Sequence, residues 1–421
     1  MIRAGHVVAL CALALLTIGV VMVNSASLTV TGVAGPLAPA GTPVQASGMT
    51  LKTALFTSAT VHMLVALGMM AVMAFIPIRR LVGGAGEALS DQHDVAKAWG
   101  GLAIGVIGMI CVLGLVYVPG IGQAKNGSHR WINIPGLGEG LSAQPSEIAK
   151  WGMLLLIAWY CAVRGAQMKS FFKGLAPALV AIGAVAGFII LEDLGTGLLI
   201  TVACCVLLLA GGARIWHFLM FVPIGVAGIV VAVVKSPYRL TRITTFLDPF
   251  KDPEGTGYHQ VQSLIAIANG QGFGRGLGFG LQSKGYLPED RTDFLFSIIC
   301  EELGIPGAAA VVFLFVVLIW AGLSIVKNEK SAALKLFALG ATVTIGVQAV
   351  INLAVVTVVA PTKGIALPLI SAGGTGWILT AMSLGLLIAI DRTSDEAAEA
   401  TGTFTLPLTQ AGGSAAGSVA A

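Results

Sequence analysis

Val311-Val312-Phe313-Leu314-Phe315-Val316-Val317-Leu318-Ile319-Trp320 sits at the centre of residues 303–326, a run without a single Asp, Glu, Lys or Arg. A helix needs about 20 predominantly apolar residues to cross the hydrocarbon core of a bilayer. This run is long enough by itself, so it predicts a membrane span. Nine further runs of the same kind follow when the chain is read outward from it: roughly 6–26, 54–78, 97–118, 147–163, 174–191, 195–212, 217–235, 334–359 and 373–390. The fold class expected is therefore an all-α polytopic membrane protein with ten transmembrane helices.

Composition agrees. The chain of 421 residues is 56% hydrophobic and only 10% charged, with a mean hydropathy of +0.90. A soluble domain carries roughly 25% charged residues, so these values exclude a cytosolic enzyme and a disordered chain. The six cysteines lie in or beside apolar runs and the six histidines are scattered. No spacing suggests a disulfide framework or a metal site, and no cofactor is expected, although a divalent cation could assist. Nothing points to nucleic acid as a partner; membrane lipid is one by necessity.

Lys and Arg in short loops set orientation. With the N-terminus inside, the cytoplasmic side holds twelve cations: Arg3, Arg79, Arg80, Lys97, Arg164, Lys169, Lys173, Arg214, Lys327, Lys330, Lys335 and Arg392. The short outer loops hold five: Lys52, Lys125, Arg130, Lys150 and Lys363. A multi-pass protein of the cytoplasmic membrane with both termini inside is the consistent expectation. The first run exceeds the usual length of a signal core and reads as a retained helix. The Pro/Gly-rich stretch 31–48 reads as an irregular outer loop. From Thr393 to Ala421 the Ala/Gly/Ser/Thr-rich sequence cannot bury a core and reads as a disordered cytoplasmic tail, leaving 1–392 as one transmembrane domain.

Between the seventh and eighth runs lies a segment, about 236–302, too long and too patterned for a connector. Glycines fall at every second position from Gly270 to Gly280. Such a ladder lets backbone approach backbone or cradle an anion with consecutive N–H groups; a loose surface loop fits the spacing equally well. Beyond it comes Gly285-Tyr286-Leu287-Pro288-Glu289-Asp290-Arg291-Thr292-Asp293-Phe294. Asp293, where polar sequence meets apolar, reads as a helix N-cap or as a general base whose pKa is raised by partial desolvation. The residue alone favours the cap. Glu301-Glu302 reads as a carboxylate pair near a helix start, favoured by the dipole.

Other polar groups sit at the ends of the runs. In Gln144-Pro145-Ser146-Glu147-Ile148-Ala149-Lys150, Glu147 and Lys150 share a helical face, either as a structural ion pair or as part of a site. Glu192-Asp193-Leu194-Gly195-Thr196 separates two runs, and Pro361-Thr362-Lys363-Gly364 through Ser371 precedes the last.

Together these blocks resemble the SEDS family (shape, elongation, division and sporulation; FtsW, RodA and SpoVE). The matching stretches are Gly19 to Ser27, Asn126 to Ile132, Gln144 to Lys150, Asp193 to Thr196, Tyr238 to Gly304, and Pro361 to Ser371 with Gly373-Gly374. Arg242-Ile243, Asp248-Pro249 and Gly285 to Glu289 look more like the division branch, FtsW, than RodA. Three departures stand out: Arg291 where histidine is common, Ala372 for an aromatic residue and Thr375 for serine.

The resemblance implies a peptidoglycan glycosyltransferase that polymerises lipid II, the undecaprenyl-pyrophosphate-linked disaccharide-pentapeptide. It implies a class B penicillin-binding protein as partner, with other divisome proteins. It maps the family's catalytic acid onto Asp293, which reverses the preference for the cap. The mechanism expected parallels an inverting glycosidase: Asp293 deprotonates the acceptor 4-hydroxyl while Lys150, Arg239, Arg242, Lys363 and Arg130 neutralise the departing pyrophosphate. Glu147 orients Lys150, Asp193 positions a basic partner, and Gln144 and Ser371 complete the substrate-binding set. The alternatives are a lipid II flippase or transporter and a non-catalytic scaffold.

Overall fold

The computed structural model describes residues 3–27, 57–79, 94–125, 128–133, 142–372 and 374–402. The stretch 31–48, Asn126-Gly127, Gly373 and residues 403–421 lie outside them. Twelve α-helices occur among the described residues. They are α1 (Ala4–Ser27), α2 (Ser58–Phe75), α3 (Asp94–Gly114), α4 (Pro145–Arg164), α5 (Ala176–Glu192), α6 (Leu194–Ala210), α7 (Ile215–Val234), α8 (Pro237–Leu247), α9 (Tyr258–Asn269), α10 (Leu295–Asn328), α11 (Ala332–Val356) and α12 (Thr375–Gly402).

Each of the ten apolar runs has a helix among its described residues, but the helices are not equal. Among the described residues eight helices are long and apolar enough to cross a membrane, whereas Leu194–Ala210 and Ile215–Gly228 are shorter apolar stretches. The helix holding the eighth run starts earlier than the hydropathy suggests, at Leu295, because a helical stretch before Gly304 joins it across a break at that glycine. The last runs on to Gly402, well into the stretch read as a tail.

The helices pack through small residues, as helices without a hydrophobic drive toward one another must. α12 lies along α2 and α1, and α1 along α10. α11 packs against α10, α4 and α6 at the centre of the bundle. Gly19 of α1 shows how close the approach becomes, since a Cβ there would sit 2.7 Å from the Ile370 carbonyl oxygen. A three-stranded antiparallel sheet lies between α3 and α4 in sequence: β1 (Gly122–Lys125), β2 (Ser128–Asn133) and β3 (Ser142–Ala143). Gln123 pairs with Trp131 and Ala124 with His129, so Arg130 is the extra residue of a β-bulge. Bulges of this kind re-aim a side chain.

Segment 236–302 holds α8, a 3-10 turn at Pro249–Lys251, α9 and the glycine ladder. The ladder is not a loose loop. α10 breaks at Gly304 (φ +62°, ψ −154°), which frees carbonyls that a continuous helix would have used. Arg275 N–H donates to Glu301 O and Gly276 N–H to Glu302 O, both at 2.9 Å, and Ile305 N–H donates to Gly272 O at 3.2 Å. A Cβ on Gly274 would lie 2.3 Å from the Glu302 carbonyl oxygen; only glycine permits this contact, and its φ is +79°.

The ladder also cradles an anion, and the anion is the protein's own. Gly278 N–H donates to Glu302 Oε2 (3.1 Å), Leu281 N–H to Glu301 Oε1 (3.0 Å) and Gln282 N–H to Glu301 Oε2 (3.0 Å). Ser25 Oγ of α1 adds a bond of 2.6 Å to Glu302 Oε2. The dipole explanation for this pair is therefore corrected. Glu301 and Glu302 lie two turns into α10 and are held by ladder N–H groups, not by a helix start.

Candidate active site

Asp293 ends the turn between the ladder and α10. It does not cap the helix: the N-cap residue is Phe294, which makes no side-chain capping bond. That overturns the cap reading and leaves the carboxyl free for other work. Among the described residues it takes no hydrogen bond. It lines a cavity of about 80 Å³ together with Gln144, Glu147, Thr196, Gln348, Gly364 and Ser371. Its pKa is raised to about 7, first by burial and then by the charges of Glu289 and Asp193, while Arg242 and Arg130 pull it back. A carboxyl so placed is half-ionised at neutral pH, near the optimum for a general base.

A second cavity, about 310 Å³, is lined by Arg130, Asp193, Arg239, Arg242, Lys363 and again Gly364. The three arginines are held by backbone carbonyl acceptors. Arg130, aimed by its bulge, donates from Nε (3.0 Å) and Nη2 (2.5 Å) to the Glu192 carbonyl at the end of α5. Its Nη1 lies 3.6 Å from Asp193 Oδ2. Arg239 Nη2 donates to Ile190 O at 2.8 Å. Arg242 stacks on Tyr238 at 4.4 Å, and its Nη1 donates to Thr362 O at 3.1 Å. Burial lowers the pKa of Lys363, and the charge of Asp193 raises it in opposition.

Gly364 is where the two cavities meet. A Cβ built on it would lie 3.5 Å from Asp293 Oδ2 and 3.7 Å from Arg130 Nη1. One residue without a side chain thus sits between the carboxyl and the Arg130 guanidinium.

The remaining expected residues are placed differently. Asp193 caps α6, accepting from Thr196 N–H (3.1 Å) and Thr196 Oγ1 (2.9 Å), while it faces Arg130. Lys150 is buried and bound to Glu147 Oε2 (2.7 Å) and Gln348 Oε1 (3.0 Å). It does not line the cavity with the other four cations, so the grouping of five is corrected to four plus a buried pair. Glu147 Oε2 forms an ion pair with its ammonium. Ser371 organises its own loop, its hydroxyl accepting from Leu367 N–H at 3.0 Å. Gln144 occupies the N-cap position of α4, and its N–H reaches Thr375 Oγ1 at 3.3 Å. Two of the departures meet directly, because Ala372 N–H donates to Arg291 O at 2.8 Å. Among the described residues no group of three or more His, Cys, Asp or Glu could hold a metal ion.

Sequence reasoning missed Gln348 and Asn352. Gln348 Nε2 donates to Ala366 O (2.9 Å), and Asn352 Nδ2 donates to Ile365 O (2.8 Å) and Asp293 O (2.9 Å). Their signal was present: two amides four residues apart share one face of an otherwise apolar run. Glu192 was passed over as well, although its carboxylate accepts from Tyr117 Oη (2.8 Å) and His129 N–H (3.0 Å) and so steadies the sheet carrying Arg130.

Comparison with known proteins places this arrangement. A solved chain from a peptidoglycan synthase complex, in work on the structural coordination of polymerization and crosslinking, superposes with a TM-score of 0.65 at 24% identity, covering 92% of this chain and 97% of that one. The rod shape determining protein RodA of Thermus thermophilus superposes with a TM-score of 0.58 at 22% identity, covering 92% and 96%. Stage V sporulation protein E of Bacillus subtilis (strain 168) is 39% identical over 291 residues, 68% of this chain and 78% of its own. The FtsW of Nitrosococcus halophilus (strain Nc4), named a probable peptidoglycan glycosyltransferase, is 40% identical over 296 residues, 68% and 75% of the two chains. The family model FtsW/RodA/SpoVE, described as cell cycle protein, matches residues 6–396, and the chain belongs to that family.

Proposed function

We propose that this protein is an inverting peptidoglycan glycosyltransferase that polymerises lipid II in cell division. The observation that carries the reading is the seam at Gly364, where a base with a pKa of about 7 faces a cavity lined by four cations. Asp293 accepts the proton of the acceptor sugar's 4-hydroxyl as that oxygen attacks the donor's anomeric carbon. The new C1–O4 bond forms on one face while the bond from C1 to the pyrophosphate oxygen breaks on the other. The α-linked donor so becomes a β-linked product, by the geometry of an inverting displacement.

Pyrophosphate is a good leaving group and needs charge stabilisation more than protonation. Arg130, Arg239, Arg242 and Lys363 supply it from fixed positions, so little reorganisation is required as charge develops. Glu147 lines the cavity beside Asp293 and is held there by the buried Lys150. No cofactor enters this scheme; a divalent cation bound with the pyrophosphate would add to the same stabilisation. The site opens toward the outer face of the cytoplasmic membrane, with both termini inside. A class B penicillin-binding protein receives the glycan strand, and other divisome proteins recruit the pair. The names of the relatives and the synthase complex with the same fold support these assignments.

Polymerisation of purified lipid II by the wild type and by Asp293→Asn tests the reading. General-base removal typically costs about 10²–10⁴-fold, so a loss in that range with the protein still folded is expected. Polymerisation within threefold of wild type by the variant would sink it. A flippase would instead move lipid II across liposomes regardless of this substitution.

A further inference from the structure

α11 passes through the centre of the bundle, and the two amides Gln348 and Asn352 interrupt its apolar face one turn apart. Both are buried, Asn352 to 1% exposure. The Asn352 amide nitrogen spends its two hydrogens on two carbonyls, Asp293 O at 2.9 Å and Ile365 O at 2.8 Å. These belong to segments some seventy residues apart in sequence. Ile365 follows Gly364, the residue packed against the Asp293 carboxyl. Gln348 repeats the pattern one turn earlier, its Nε2 donating to Ala366 O at 2.9 Å while its Oε1 accepts from Lys150 Nζ at 3.0 Å. Its orientation is forced, because an ammonium only donates and a carbonyl only accepts.

We infer that Asn352 is a positioning residue that holds the Asp293 turn inward against the Gly364 loop, with Gln348 tying that loop to the Glu147–Lys150 pair. The inference rests on the reading of Asp293 as general base. A second observation supports a task beyond packing. Among the described residues Asn352 Oδ1 is buried without a hydrogen-bond partner, a cost that an apolar residue in this helix would avoid. The nitrogen's two bonds are what the molecule keeps in exchange. They fix the depth of Asp293 and so its distance from water, which is the chief cause of its raised pKa. The charged groups facing it come from four places: Glu289 on its own turn, Asp193 at the start of α6, Arg242 on α8 and Arg130 on β2.

The test is lipid II polymerisation by purified full-length Asn352→Ala, with kcat, KM and the pH profile of kcat/KM measured beside wild type and Asp293→Asn. Alanine keeps the helix but leaves both carbonyls without their donor. A misplacement on the order of 1 Å can cost about 10²-fold in rate, so a fall in kcat of that order is expected with KM changed less than threefold. The acid limb of kcat/KM should move to lower pH, because a loosened turn admits water to the carboxyl. An unmoved acid limb, whatever the rate, overturns the inference. If Asn352→Ala does not fold, Asn352→Ser, which retains one donor, is read by the same limb. An active Asp293→Asn would fell the base reading and this inference together. An inactive Asp293→Asn with an unmoved limb in the Asn352 variant would fell the inference alone.

Discussion

Two acidic sites eight residues apart in this chain have opposite surroundings. Glu301 and Glu302 are fully buried, and their carboxylates are bound by three ladder N–H groups and the Ser25 hydroxyl. Asp293 sits beside a cavity with its carboxyl unbonded among the described residues and its pKa raised to about 7. Donors that converge on a carboxyl group fix it in place. A carboxylate denied such donors and withdrawn from water holds its proton loosely near neutrality. The first arrangement builds structure and the second is available for proton transfer.

The comparison can be broken in several ways. The largest effect is expected at the seam. Gly364→Val should cut polymerisation by about 10²-fold or more, because the added methyls fall between base and guanidinium and displace the reacting geometry. Its melting temperature should stay near that of wild type, since the residue is exposed and its backbone conformation is ordinary. Activity within threefold of wild type would mean that the two cavities do not act together.

Glu301→Ala probes the other side. It leaves the buried Gln282 N–H without its acceptor, worth roughly 1–3 kcal/mol, and removes that of the more exposed Leu281 N–H as well. A clear fall in thermal stability is expected, while activity per folded molecule changes by less than tenfold. Loss of rate at unchanged stability would make this pair part of the chemistry and erase the distinction.

Smaller shifts sharpen the electrostatics. Arg130 and Arg242 favour the ionised form of Asp293, so Arg130→Ala should raise its pKa and move the acid limb of kcat/KM upward. Asp193 opposes ionisation, and Asp193→Asn should move the limb down. Equal or reversed movements would contradict the assigned charges. A separate effect is expected on stability. The folded pKa of Asp293 lies above its ordinary value of 3.8, so its ionisation weakens the fold between about pH 4 and 7 and by a constant amount above that. Asp293→Asn should therefore melt higher than wild type at pH 8 and equally at pH 4.

Hydropathy made the bundle legible because a bilayer imposes length and apolarity on each span. It could not weigh α6 and α7, whose helices hold shorter apolar stretches than the other eight. The ladder's spacing announced close approach and anion binding, yet the anion was Glu301 and Glu302, reached only through the break at Gly304. Arg130, Asp193, Arg239, Arg242 and Lys363 were readable as polar residues at the ends of apolar runs. Lys150 was readable too, but its burial depends on Gln348, seven helices away in the chain. Asn352 escaped because its partners are backbone carbonyls, which no residue type advertises. What remained hidden was everything set by contacts between distant loops.

The most direct test of the central claim is the pH dependence of kcat/KM for wild-type lipid II polymerisation between about pH 5 and 9. A desolvated Asp293 acting as base requires a single ionisation, with the rate falling tenfold per pH unit below a midpoint near 7. A rate that stays flat down to pH 5 would show that no carboxyl with a raised pKa governs the reaction, and would contradict the assignment of Asp293.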